Sequence, residues 1–223
     1  MEKGIVSEEK PKLFKVINGR LTIYGEDFVF LALMGIFFAF VGWIAENTAK
    51  AITTGIIDSR FHILPFISPY ALVPFAVHIA VGDTNNLTFF GHRVFKENNL
   101  KNKILSNFLT FLIFAVVVFI GELVVGNLWE LLFGAKLWDY SNFPLCVTQY
   151  AGLIPSLGYG GGAYLLMKFA YKPLLRQFKK IDFKIAKIIA IVLGTLIILD
   201  TLQMMIVTAV RGEGFLLWKI ELW

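Results

Sequence analysis

The chain has 223 residues, 57% of them hydrophobic and only 17% charged, with a net charge of +5 and a single cysteine, Cys146. That balance describes one compact helical bundle and excludes a multidomain soluble protein, an intrachain disulfide and a cysteine-built metal cluster. The positive charge is not a nucleic-acid signature: it gathers between apolar stretches, where it would face anionic lipid.

Residues 1–27 are polar and mixed in charge, apart from a short apolar run at 21–24, and read as a cytoplasmic lead-in lying on the membrane. Five apolar stretches follow, at about 28–45, 61–80, 104–125, 148–167 and 188–210, each close to the ~20 residues a helix needs to cross a ~30 Å hydrocarbon core. The first ends in Glu46-Asn47 without a small-residue cleavage site, so it reads as a retained span. Sixteen of the 21 Lys and Arg residues fall in alternate gaps, which puts the N-terminus in the cytoplasm and the C-terminus outside a cell membrane. Trp43, Trp129, Trp138, Trp218 and Trp223 all fall at the outer interface of that arrangement.

The connections differ in character. Residues 82–103 read as a solvated loop, and 171–187 as a basic amphipathic helix on the inner leaflet or a docking helix for a cytoplasmic partner. Residues 127–147 are too apolar for a free loop and too short for another crossing, so they are expected to fold back as an interfacial or re-entrant element. The expected fold class is therefore all-α, a polytopic membrane bundle of five helices (28–210) with a cytoplasmic segment before it (1–27) and an interfacial tail after it (211–223).

Ionisable groups inside spans cost about 2.5–3.5 kcal/mol each at mid-depth, so each needs a reason. In this topology Glu46, Arg60, Glu122, Gln149 and Asp200 all fall in the outer half of the membrane, and Glu130, Asp139 and Tyr140 belong to the outer connection. They are read as a shared outward-facing polar pocket, walled by Trp43 and Trp138, with scattered structural ion pairs as the alternative. Arg60 is the natural counter-ion and is expected to pair with Glu46, Glu122 or Glu130. In the fourth stretch Gly152, Ser156 and Gly160 form a row of small residues, and Gly158 with Gly162 a second, at the spacing that lets helices approach closely in lipid. Three prolines, Pro65, Pro69 and Pro74, predict a broken or bent second span.

Several chemistries find no motif. The dipeptide Gly-Lys never occurs, which excludes a P-loop, and neither His-Glu-x-x-His nor Gly-x-Ser-x-Gly is present. His62, His78 and His92 fall on different sides of the membrane, so no metal site and no cofactor are expected.

A family resemblance follows from short strings. Gly42-Trp43-Ile44-Ala45-Glu46, Arg60, Glu122 and above all Trp138-Asp139-Tyr140-Ser141 resemble the type IV ABC-transporter permease family of small bacterial membrane proteins. Pro65, Pro69 and Tyr70 resemble its Pro- and Tyr-rich stretch, and Ser156 is retained. Cys146 stands where that family usually has Asn, Gln149-Tyr150 where it has Gly-Arg, and Tyr159-Gly160 where it has Trp-Gly. The resemblance covers roughly residues 36–162 and implies a transport-related permease subunit. Its partners would be the bilayer and a separate ATPase or another membrane subunit, with association between copies left open. The other readings are a membrane enzyme acting on a lipid headgroup, with Glu46, Glu122 or Asp139 as acid or base, and a structural partner without a site.

Overall fold

The computed structural model describes residues 13–83, 86–89, 92–95 and 99–223; the first twelve residues of the expected lead-in lie outside them. The rest of that lead-in is a sheet. Strands β1 (Phe14–Ile17), β2 (Arg20–Ile23) and β3 (Glu26–Asp27) form an antiparallel meander. Its two tight turns, Asn18-Gly19 and Tyr24-Gly25, place both residues at positive φ, as type I′ hairpins require. The Asp27 side chain then accepts from the amide of Val29 and caps the first helix.

Helix α1 (Phe28–Thr54) is central to the core, with Leu31, Met34 and Ala39 fully buried, and ends at Gly55 in the left-handed conformation. Strand β4 (Ile56–Asp58) follows and pairs with β10 (Lys219–Glu221), so the C-terminal tail is tied to the end of α1.

The second apolar stretch is broken, as its prolines require. Residues 59–67 have no helix, and α2 (Ser68–Ala71) and α3 (Val73–Ala80) each carry a proline in the first turn. The two together rise only about 20 Å, short of the ~30 Å hydrocarbon core. Arg60 lies beside Glu46 near one end of α1, while His78 reaches the carbonyl of Ile23 at the other. The row Gly35, Ala39, Gly42 on α1 admits this segment: Ile67 donates to the Ala39 carbonyl, and a Cβ on Gly35 or Gly42 would collide with Ala71 or Tyr70.

The region expected as a solvated loop holds β5 (Gly82–Asp83), β6 (Asn86–Phe89) and β7 (His92–Arg93), with Leu87 buried in the core. Helix α4 (Leu100–Phe133) overruns the expected third span, so residues 127–133 are helix and not fold-back. Beyond Gly134 the chain does fold back, through β8 (Cys146–Thr148) and β9 (Ala151–Gly152), which pair with each other. Helix α5 (Leu153–Leu165) runs through a π-helical stretch, Leu166–Tyr171, into α6 (Lys172–Phe178). A short turn and the Asp182 cap then start α7 (Phe183–Arg211). The expected surface helix at 171–187 is thus the end of one helix, a turn and the start of the next.

Among the described residues three helices, α1, α4 and α7, are long and apolar enough to cross a membrane. The fold is a mostly helical membrane protein. It is not purely α, because the described residues also form four small sheets. Five crossings would need the broken segment 59–80 and the rod 153–178 to span as well.

Candidate functional site

The site grows from a strained turn. Arg60 and Phe61 both hold left-handed backbone, with φ of 54° and 67°, which is costly for residues with a Cβ. Buried Asp58 fixes that turn: its carboxylate accepts from the Arg60 amide at 2.9 Å and pairs with Lys50, and its own amide donates to the Asn47 side chain. Ser59 bonds to the tail at Leu217 and Trp218. The result aims the Arg60 guanidinium at Glu46, 3.0 Å from Oε2, while the Tyr70 hydroxyl donates to Oε1 at 2.7 Å. Arg60 Nε remains buried without a partner.

A second carboxylate faces the first. Glu122 on α4 accepts from the Tyr140 hydroxyl at 3.0 Å and lies 3.2 Å from the Ser156 hydroxyl of α5. Tyr159, also on α5, faces both glutamates. Gly160 makes this proximity possible, because its α-carbon rests against the backbone of Ala115 where any side chain would collide. Gly158 and Gly162, the other small row, meet nothing within 4 Å and are exposed, so that row is no helix contact within the chain.

The structure therefore brings together Glu46, Arg60, Glu122, Tyr140 and Ser156, and adds Tyr70 and Tyr159. Other expected residues go elsewhere. Asp139, read from the sequence as part of the shared pocket, does not join it. Instead it stands in a surface turn, bonded to the Ser141 amide at 2.8 Å and to Lys136 at 2.9 Å, with its side chain 41% exposed. Its neighbour Tyr140 is the member of the motif that reaches the cluster. Trp138 donates to the Tyr150 carbonyl and packs edge-on against the Tyr150 ring, inside the fold-back segment. Glu130 accepts from Gln149 in that segment, apart from Arg60. Trp43 packs against Trp218 of the tail. Buried Asp200 serves the broken segment: its carboxylate accepts from the amides of Ile63 and Leu64 and bonds to His62 at 3.0 Å. Buried non-helical backbone needs such partners.

Hydrogen bonds from Ser141, then Lys136, hold the Asp139 carboxyl well below the usual range, and Asp139 in turn raises Lys136. Burial, then the Glu122 carboxylate, pushes the Tyr140 phenol up, and burial with Glu130 pushes Tyr150 up to about 12. Among the described residues no group of three or more His, Cys, Asp or Glu is placed to hold a metal.

Residues 33–205 match the family described as Putative ABC-transporter type IV. The chain belongs to that family. Comparison with curated proteins and with solved structures finds no match. As a member of the type IV family with apolar helices long enough to span, it is a transport-related membrane protein. The matched range takes in the whole cluster, from α1 to α5, and reaches Asp200 on α7.

Asn47, Lys50 and Asp58, which hold the Arg60 turn, were not singled out in the sequence. The available signal was an Asp-Ser pair immediately before Arg60, a composition that favours side-chain-capped turns. Tyr70 and Tyr159 entered the sequence reading only through the family resemblance, as part of its Pro- and Tyr-rich stretch and at its Trp-Gly position, and not as site residues.

Proposed function

We propose that the protein is the membrane-embedded, permease-like subunit of a transport system, and that its substrate site is the Glu46–Arg60–Glu122 cluster. The single observation that carries this reading is the convergence of two carboxylates from different helices and an arginine from a broken pass, with Tyr140 of the fold-back segment bonded to one of them. Polar groups of that kind inside an apolar bundle are expensive, and interrupted helices beside them are how membrane substrate sites are commonly built. The tyrosine and serine hydroxyls bond the carboxylates to one another's surroundings, which is the arrangement of a closed site. A substrate would enter by displacing Tyr140 with the segment that carries it.

In this reading the chain crosses a cell membrane five times, with the broken segment and the 153–178 rod as the second and fourth passes. The basic N-terminal side faces the cytoplasm and the cluster lies toward the outer face. A separate subunit supplies any ATP hydrolysis, because this chain has no P-loop.

The test is a thermal-stability screen of the purified full chain against small polar solutes, run beside Glu46→Gln, Glu122→Gln and Asp139→Asn. Stabilisation by a solute should disappear in the first two and persist in the third. Hits that stabilise Glu46→Gln and Glu122→Gln as well as the wild type would overturn the assignment. Affinity purification from native membranes should bring down an ATPase, and a chain that transports its solute alone would remove that partner from the reading.

A further inference from the structure

The outward face of the rod formed by α5 and α6 changes character at Pro173. On the α5 side of it, Leu165 and Phe169 stand 53% and 65% exposed. On the other side Arg176, Gln177 and Lys180 are exposed, and with Pro173 they line a cavity of about 440 Å³, a volume within the roughly 300–1,000 Å³ of small-molecule sites. The π-helical stretch, with its wider turn, keeps Leu165, Phe169, Pro173 and Gln177 in one row at four-residue spacing. Leu175 and Phe178, on the opposite side of α6, pack into the core, so this row is turned away from the protein.

The charge on that face is unbalanced. Lys179 pairs with Glu26, and the Asp182 carboxylate is taken by the amides of Lys184 and Ile185. Arg176 gives its Nε to the Lys172 carbonyl, which leaves the terminal nitrogens of the guanidinium. Among the described residues neither Arg176 nor Lys180 forms an ion pair. Two cations four residues apart on one helix face therefore line a cavity with no carboxylate of the protein to answer them.

Depth decides what fills it. Pro173 lies twenty residues beyond Leu153, a rise of about 30 Å, which is the thickness of the hydrocarbon core. With the rod as the fourth pass, Leu165 and Phe169 lie among the acyl chains of the inner leaflet, and Arg176 and Lys180 among the headgroups. A soluble anion matches the cations alone and leaves the apolar row unused. An anionic phospholipid matches both.

We propose that this face holds one anionic phospholipid of the inner leaflet, with its phosphate between Arg176 and Lys180 and an acyl chain along Phe169 and Leu165. Guanidinium and ammonium groups hold phosphate by charge-assisted hydrogen bonds, and Gln177 adds an amide donor. The leaflet and the depth rest on reading residues 153–178 as a membrane pass; the pairing of a phosphate site with an apolar row does not.

Native mass spectrometry of the full chain, purified in detergent and titrated with phosphatidylglycerol or phosphatidylcholine, tests the site. The wild type should retain one phosphatidylglycerol per chain in preference to phosphatidylcholine. Arg176→Gln with Lys180→Gln should weaken that retention about 30-fold, the effect of two basic residues at a lipid surface. Lys184→Gln with Lys187→Gln removes the same charge from the neighbouring helix and should leave retention nearly intact, while Phe169→Ser should weaken it with no change of charge. Equal weakening in the two double variants overturns the proposal, because the face is then only a diffuse positive field. Competition by glycerol phosphate as effective as by the lipid overturns it in favour of a soluble anion. Absence of retention in the wild type overturns it as well, and leaves the face to a cytoplasmic protein. The pass has its own test: Lys184→Cys in a Cys146→Ser background should react with a membrane-impermeant maleimide only from the cytoplasmic side of sealed vesicles. Reaction only from the outer side, with phosphatidylglycerol still retained, overturns the pass and the leaflet but not the lipid.

Discussion

Replacing Gly160 by alanine places a methyl 2.6 Å from the Ala115 α-carbon and 2.7 Å from its nitrogen, both backbone atoms of α4 that cannot turn aside. Reaching ordinary contact requires the two helices to part by about 0.8 Å, a gap that forfeits a quarter to a half of each dispersion contact across it. Overpacking of this kind costs about 1–3 kcal/mol, and in lipid no hydrophobic term between helices offsets it. Against that, alanine gains about 1 kcal/mol of helix propensity over glycine. Gly158→Ala and Gly162→Ala receive the same gain without a collision, since nothing lies within 4 Å of either. Gly160→Ala should therefore fall about 1–3 kcal/mol below Gly158→Ala in reversible unfolding of the purified chain in mixed micelles, followed by circular dichroism. The same separation would draw Ser156 from 3.2 Å to beyond bonding distance of Glu122 in Gly160→Ala alone. Equal stability of the two alanine variants would refute the close contact and with it the geometry of the site.

Three further outcomes are expected. Arg60→Ala should cost about 2–3 kcal/mol, below the usual 3–5 for a buried pair because both side chains keep roughly a fifth of their surface, and Arg60→Met with Glu46→Gln should recover most of it. Asp200→Ala removes the acceptor of two backbone amides and His62, at about 1–3 kcal/mol for each donor left buried. Asp200→Asn should lose less, and a cysteine at Leu64 in a Cys146→Ser background should label faster only in the alanine variant. Finally, Tyr140 and Tyr150 carry raised phenol values, so the stability they contribute is complete below the ordinary value of about 10 and declines above it, for Tyr150 up to about 12. Melting temperature should fall across that alkaline window, and Tyr140→Phe should flatten the fall; a profile unchanged by the substitution would deny Tyr140 its half-buried place beside Glu122.

What the sequence made legible was whatever depends on apolar length and on single polar residues in apolar surroundings. The membrane class, the broken second stretch, the fold-back segment and the Arg60–Glu46 pair all follow from such features. Helix ends did not, because α4 continues through Trp129 and Phe133 on apolar residues that read equally well as interface. The N-terminal meander was legible in principle: Asn18-Gly19 between alternating residues is a strong hairpin signal, but the surrounding polarity suggested a surface segment. Asp139 misled for a different reason. A distinctive motif invites the charged residue to be the functional one, whereas its acid builds the turn and its phenol reaches inward. Gly158 and Gly162 share the four-residue spacing of Gly152, Ser156 and Gly160, and spacing alone cannot say which face of a helix meets a neighbour.

The pairing of β4 with β10 joins Ile57 to Ile220, about three quarters of the chain apart. Synthesis is vectorial, so β4 leaves the ribosome on the order of 10 s before its partner, at about 5–20 residues per second. During that interval the Arg60–Phe61 turn lacks Leu217 and Trp218, and until α7 arrives it also lacks Asp200. A left-handed pair of non-glycine residues does not persist without such supports. The candidate site is therefore assembled last, when the final strand closes over it. A nascent or truncated chain can have every helix of the cluster in the membrane and still hold Arg60 in the wrong place.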